Sequence, residues 1–282
     1  MNTLSLPDGS PIPRLGLGTW RMGESRASRA AEVAAVRSAI EIGYRLFDTA
    51  EMYGEGGAEE VVGQALAEAL RAGDVRRDEL FVVSKVYPHN ASRKGTVAAC
   101  ERSCKRLGLD RIDLYLLHWR GEHALDDTTA AMHALVQSGR IARWGVSNFD
   151  VDDMDELMAV APDCASNQVY FSLSERGPEF SLLPWLRNKT MPLMAYSPID
   201  QGTLAQHKAL AAVGAPLALT AAQLALAWVL AQPGVVAIPK AVKPQHLRDN
   251  WAAASGTLST ETLRQIDRLF PPPACKVPLA MT

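Results

Sequence analysis

The sequence predicts an α/β protein in which eight strand–helix units close into a (β/α)8 barrel, the TIM-barrel class. Three observations predict it. From Leu15 onward, short apolar strand-like runs alternate eight times with segments whose apolar residues recur at helical spacing, the pattern of repeated βα units. Runs such as Leu80-Phe81-Val82-Val83-Ser84-Lys85 are continuously apolar up to a charged end, as expected of parallel strands covered on both faces. The competing fold, an open doubly wound sheet, calls for a glycine-rich phosphate loop near its first strand. Gly54-Glu55-Gly56-Gly57 comes near, but Glu59 stands where GxGxxG needs its last glycine, so these glycines read as a βα turn. At 282 residues and 48% hydrophobic content, residues 1–282 read as one barrel domain.

The elements follow in order. Leu4 to Pro13 reads as a short N-terminal β-hairpin turning at Asp8-Gly9. Leu15–Gly18 is the first barrel strand, ending at a Thr19-Trp20 rim, and a helix through Glu32–Ile42 follows. Tyr44–Asp48 is the second strand. Gly57–Leu70 places Val61, Val62, Ala65, Leu66, Ala69 and Leu70 at helical spacing and leads to the Leu80–Lys85 strand. Val97, Cys100, Cys104 and Leu107 mark the helix before the strand Ile112–His118. Thr128–Ser138 is a helix stopped by Gly139, then Ile141–Val146 a strand, Asp152–Met158 a helix and Ala165–Val169 a strand. Phe180–Asn188 is helical and Met191–Tyr196 extended. Thr220 and Gln223 form a capping box that opens a helix to Leu230. Gly234–Ile238 is the last strand and Pro244–Ala253 its helix. Ser259–Phe270 is an extra C-terminal helix with Leu258 and Leu263 at hydrophobic-staple positions.

Three consecutive strands end in polar groups: Asp48, Lys85 and His118. Side chains alternate along a strand, so Asp48 shares a face with Leu46, Lys85 with Val83 and Phe81, and His118 with Leu116 and Leu114. Neighbouring strands lie about 4.8 Å apart, which brings the three ends within about 10 Å. A buried lysine is costly without a partner, and Asp48 supplies one that keeps it charged. Active sites of barrels lie at the C-terminal ends of the strands, where these residues sit. Tyr53 follows in the next loop. A nearby cation favours phenolate, so Lys85 is expected to lower the Tyr53 pKa toward working pH and make it a proton donor. A neutral His118 would orient a carbonyl oxygen.

Charge and composition exclude other classes. Net charge is −2, from 29 basic and 31 acidic residues without a run of like sign, which argues against nucleic acid or an anionic membrane as the main partner. No apolar run reaches the roughly 18 residues that span a bilayer. Met1–Leu6 has no basic region, long apolar run or cleavage-like site, so a cytoplasmic location is expected. Cys100 and Cys104 share a helix face, but no second Cys/His pair has matching spacing; they read as buried thiols in a reducing compartment, and no metal site is expected. His89, His123, His133 and His207 stand outside any constellation.

The motifs together make the chain recognisable. Gly16-Leu-Gly-Thr-Trp20, Phe47-Asp-Thr-Ala-Glu-Met-Tyr-Gly54, Ser84-Lys-Val86, Leu109–Trp119, Gly139–Phe149 and Ile238-Pro-Lys240 run through nearly the whole length, and the chain resembles the aldo/keto reductase family. The resemblance implies a barrel that binds NADPH in an extended pose, and a catalytic tetrad of Asp48, Tyr53, Lys85 and His118 with Tyr53 as general acid in carbonyl reduction. It implies that Ser147, Asn148 and Gln168 hold the nicotinamide carboxamide and that Tyr196 stacks on the nicotinamide ring. Ser197, Pro198, Ile199, Asp200, Gln201 and Gly202 resemble the loop over the pyrophosphate. Thr19, Trp20 and Asp48 belong with the same cofactor positions, as do Ile238, Pro239, Lys240, Ala241, His246, Asp249 and Asn250 at the adenosine end.

That end departs from the family pattern. Ala241 replaces a hydroxyl residue, and His246 stands where an arginine is usual. Neutral histidine offers one donor and no charge, against the planar cationic fork of arginine. NADPH is still expected through Lys240, with weaker discrimination against NADH than is usual. Trp20, Met52, Tyr53, Tyr87, His118 and Trp119 are expected to form an aromatic cup for a small carbonyl substrate. Only Pro271–Thr282 follow the last helix, so an open, permissive pocket is expected. The chain looks most like bacterial members that reduce methylglyoxal and other 2-oxoaldehydes, acting as monomers. Two other readings carry less: a Schiff-base lyase using Lys85 as nucleophile, against which Asp48 argues, and a non-catalytic NADP(H)-binding, redox-sensing subunit, for which no inserted interaction segment is seen.

Overall fold

The computed structural model describes residues 3–281; Met1, Asn2 and Thr282, and with them part of the N-terminal stretch read for an export signal, lie outside it. The hairpin forms as the sequence predicts, β1 (Thr3–Ser5) pairing antiparallel with β2 (Pro11–Pro13). Gly9 turns it with φ of 82°, a conformation open to glycine at little cost.

Eight parallel strands follow in chain order: β3 (Gly16–Gly18), β4 (Leu46–Asp48), β5 (Phe81–Val86), β6 (Leu114–Leu117), β7 (Trp144–Ser147), β8 (Asn167–Tyr170), β9 (Leu193–Tyr196) and β10 (Val235–Ala237). The sheet closes on itself through parallel bridges from Leu15 to Ala237 and from Gly18 to Lys240. Closure is tight: a Cβ on Gly18 would stand 2.6 Å from the Ile238 carbonyl oxygen, so only glycine lets the first and last strands meet here.

The helices are α1 (Arg29–Ile42), α2 (Gly57–Ala72), α3 (Arg93–Leu107), α4 (Leu125–Gln137), α5 (Val151–Val160), α6 (Leu182–Asn188), α7 (Lys208–Gly214), α8 (Ala221–Ala231), α9 (Pro244–Ala253) and α10 (Thr260–Leu269). The short α7 is an addition to the sequence reading; His207 caps it by accepting from Leu210 N. The capping box predicted at Thr220 and Gln223 is present, and Leu258 and Leu263 both pack against the core. Cys100, Cys104 and Cys164 are buried free thiols, and Cys275 is exposed. Among the described residues no single helix is long and apolar enough to cross a membrane.

Two apolar layers result. The larger lies between the sheet and the helices. The smaller fills the barrel with Leu46, Phe81, Val83, Leu114, Leu116, Met194 and Val236, and hairpin residues Leu6 and Ile12 belong to it. The hairpin therefore plugs the N-terminal end of the barrel. The interior residues two places before Asp48, Lys85 and His118 are Leu46, Val83 and Leu116, so strand alternation carries those three polar side chains to the inner face above the plug.

Candidate active site

The register of the strands sets the polar ends side by side: Asp48 lies opposite Val83 of β5, and Lys85 opposite Leu116 of β6. Lys85 Nζ donates to Asp48 Oδ1 at 2.7 Å, to the Thr49 carbonyl at 3.0 Å and to Tyr53 Oη at 3.1 Å. Lys85 and Asp48 are 0% and 2% exposed, so the pair is held out of water. Gln168 Nε2 donates to the second carboxylate oxygen of Asp48 at 2.7 Å. The carboxylate is thus saturated from both sides, by an ammonium and an amide. His118 is buried beside Tyr53, their rings edge to face with centroids 5.7 Å apart.

The electrostatics separate the three titrating groups. Burial alone would lower the Lys85 pKa, but Asp48 and Tyr53 overcome it, and the net shift is upward. The lysine is a fixed cation. Burial, reinforced by the Lys85 charge, holds His118 well below the ordinary histidine value, and its Nδ1 has no hydrogen-bond partner among the described residues. It is neutral at physiological pH. Tyr53 departs from the sequence expectation: its pKa is raised, not lowered. Burial contributes most, Lys85 pulls the other way, and the Asp48 charge partly cancels Lys85. The phenol is held protonated.

These groups stand at the floor of a cavity of about 870 Å³ at the C-terminal mouth of the barrel. Asp48, Met52, Tyr53, His118, Trp20 and Trp119 line it, while Lys85 lies behind Tyr53. Ser147, Asn148, Gln168 and Tyr196 form its polar flank. Asn148 donates to the His118 carbonyl at 3.1 Å and to Ser147 Oγ at 3.2 Å, and accepts from Tyr196 Oη at 2.9 Å. The Tyr196 ring stacks on Tyr170 at 5.7 Å, and Tyr170 Oη donates to Asp200. The cavity then runs past Thr19, Ser197, Pro198, Ile199, Gln201 and Gly202 to Ile238, Pro239, Lys240, His246, Asp249 and Asn250. Arg21, Asn148, Ser197 and Gln201 of its wall all carry positive φ without being glycine, a concentration of backbone strain usual at functional sites.

Two expectations change. Ala241 is buried and does not line the cavity; the residue after Lys240 turns into the core. Tyr87 faces a separate hollow of about 400 Å³ with His89, Trp119 and His123, because its chain has already entered the turn Pro88–Asn90. The tail also reaches the cavity, where Met281 joins the wall while staying largely exposed. Arg21, Thr220, Ala222 and Gln223 also line the cavity. Arg21 directly follows the Thr19-Trp20 rim, a signal available in the sequence; the other three open α8, and only the fold brings them there.

A buried cation beside a phenol, with a neutral imidazole next to both, can pass a proton to an oxygen in the cavity and stabilise the anion left behind. The cavity above these groups continues as a long cleft with room for a second, larger molecule. The family model described as "Aldo/keto reductase family" matches residues 14–270, and the chain belongs to that family of oxidoreductases. It is 47% identical over 277 residues to methylglyoxal reductase YeaE of Escherichia coli, covering 96% of this chain and 95% of the relative. It is 36% identical to glyoxal reductase of Bacillus subtilis, covering 95% and 92%. A crystal structure of an aldo-keto reductase from Klebsiella pneumoniae in complex with NADPH superposes with a TM-score of 0.93 at 47% identity, covering 100% of this chain and 99% of that one.

Proposed function

We propose that the protein is an NADPH-dependent reductase of aldehydes, 2-oxoaldehydes such as methylglyoxal among them, and of some ketones. The observation that carries this is the contact of Tyr53 Oη with Lys85 Nζ at 3.1 Å, the lysine paired in turn with Asp48 at 2.7 Å. The names of the E. coli and B. subtilis relatives support the substrate class.

The residues present fit a dinucleotide. Gln168 and Ser147 are 1% exposed yet line the cavity. With Asn148 they are suited to a carboxamide. Lys240 and His246 are exposed at the far end of the same cavity, where a phosphate can meet a cation. The nicotinamide, when bound, supplies hydride to the carbonyl carbon. Tyr53 and His118 hold the carbonyl oxygen, and Tyr53 gives it a proton. Lys85 stabilises the phenolate that forms, and Asp48 keeps the lysine charged. Trp20, Met52 and Trp119 enclose the remainder of a small substrate. Lys85 already has three acceptors, which makes it a poor Schiff-base nucleophile.

The same reading has the chain working as a single barrel domain, a monomer in the cytoplasm, with modest discrimination against NADH. The test compares NADPH oxidation by methylglyoxal in wild type and Tyr53→Phe. Loss of the acid should lower kcat by about 10²–10⁴-fold while NADPH binding, followed by fluorescence, persists. Wild-type turnover in the variant would remove Tyr53 from its role.

A further inference from the structure

Tyr53 rides on a segment with little regular backbone support. It opens a short turn, Tyr53–Gly56, in which Gly54 and Glu55 have φ of 56° and 52°, followed by Gly56 at 90°. Two buried glutamates bracket this turn, Glu51 and Glu59, and neither lines the cavity. Glu51 Oε1 accepts from Tyr87 N at 2.8 Å and Asn90 Nδ2 at 2.9 Å, and Oε2 accepts from Arg102 at 3.1 Å. Its own N–H reaches the Lys85 carbonyl at 3.3 Å. Glu59, 0% exposed, accepts from Ser84 Oγ and from Arg106 Nε, both at 2.6 Å.

The two arginines are four residues apart, one turn along α3. The two glutamates therefore tie the ends of the tyrosine segment to one face of one helix. They also tie it to β5 and its loop, at residues on either side of Lys85. Gly56 makes room for this arrangement, since a Cβ there would come within 2.4 Å of Arg106 Nε.

We propose that Glu51–Arg102 and Glu59–Arg106 form a two-point clamp that sets the distance from Tyr53 to Lys85, which makes these four side chains positioning residues for the proton transfer. The inference rests on Tyr53 acting as the general acid. A carboxylate with three donors cannot slide without losing hydrogen bonds to a charged group. Small displacements of a reacting group are costly: a misplacement of about 1 Å can lower a rate by ~10²-fold. The charged and titratable groups facing Tyr53 are Asp48, Lys85 and His118.

The test uses Arg102→Met and Glu51→Gln in the full chain, with Arg106→Met as the harsher variant and Tyr53→Phe alongside. Arg102 is half exposed, so its loss disturbs less packing than that of Arg106, and Glu51 keeps its bonds to Tyr87 and Asn90; urea unfolding of each variant checks that it is folded before its rates are read. Arg102→Met is expected to lower kcat by about tenfold, with KM for methylglyoxal within about twofold. The alkaline limb should move to higher pH, because a Tyr53 withdrawn from Lys85 loses the influence that lowers its pKa. Deuterium exchange in the cofactor-free protein should speed up across residues 51–57. Glu51→Gln, which keeps an acceptor for Tyr87 and Asn90 but not for Arg102, should show the same changes. A lowered melting temperature with wild-type kcat, pH limb and exchange would overturn the clamp and leave a purely structural ion pair. If Tyr53→Phe is inactive while Arg102→Met equals wild type, the clamp alone fails. If Tyr53→Phe keeps full turnover, the acid assignment fails and the clamp with it.

Discussion

The ammonium of Lys85 sits 2.7 Å from Asp48 Oδ1 with both side chains closed off from solvent. Two charges have left water together, and each makes the other tolerable. Breaking a buried pair from one side leaves an unpaired charge, which costs about 3–5 kcal/mol. Asp48→Ala is expected to lose stability on that scale in urea unfolding, and Lys85→Met in the same background to recover much of it. A single-variant loss under about 1 kcal/mol, the range of exposed pairs, would mean that water reaches Lys85.

The same pair predicts alkaline behaviour. Lys85 and Tyr53 both have folded pKa values above their ordinary 10.5 and 10.0. For each, the folded chain holds its proton more tightly than the unfolded chain does. Their contribution is therefore fully present below pH 10.0 and is lost as pH rises through the folded values. Unfolding free energy should fall above pH 10 more steeply in wild type than in Tyr53→Phe, and equal slopes would contradict the shift.

His118 behaves in the opposite sense. Its folded pKa lies well below 6.5, so its contribution is present above 6.5 and is lost as pH falls toward the folded value. Turnover should show no acidic limb near 6.5 attributable to this imidazole, and a proton titration followed by NMR should leave its ring signals unmoved through that region. Signals that titrate with an ordinary midpoint would show that His118 is wet.

At the far end of the cavity, His246→Arg should raise the ratio of kcat/KM for NADPH over NADH by roughly tenfold, about 1.4 kcal/mol. Lys240→Ala should lower it. In wild type the ratio is expected to stay below about a thousandfold, roughly 4 kcal/mol; a larger value would mean that the histidine discriminates as well as an arginine.

Met281, from the C-terminal tail, lines the cavity. Shortening the tail before it should favour bulky aldehydes, lowering their KM about fivefold, the effect of relieving ~1 kcal/mol of crowding. Methylglyoxal should be little affected. Equal effects on both substrates would place the tail away from the substrate path.

Much of this was legible along the chain. The eight βα units follow from apolar periodicity, and the inward facing of Asp48, Lys85 and His118 follows from the two-residue repeat of a strand, which neighbouring residues already encode. Chemistry that depends on one neighbour was also readable, as in the Lys85 charge kept by Asp48. The tertiary structure decided what depends on several distant groups at once. Gln168 and Asp48, 120 residues apart, meet because the barrel closes. The Tyr53 pKa rises because burial and the Asp48 charge outweigh Lys85, a balance that needs distances. Tyr87 left the cavity and Met281 joined it because loops and tails follow paths set by packing. Periodicity is a property of adjacent residues and survives in the sequence; desolvation and the meeting of remote side chains exist only once the chain has enclosed a space.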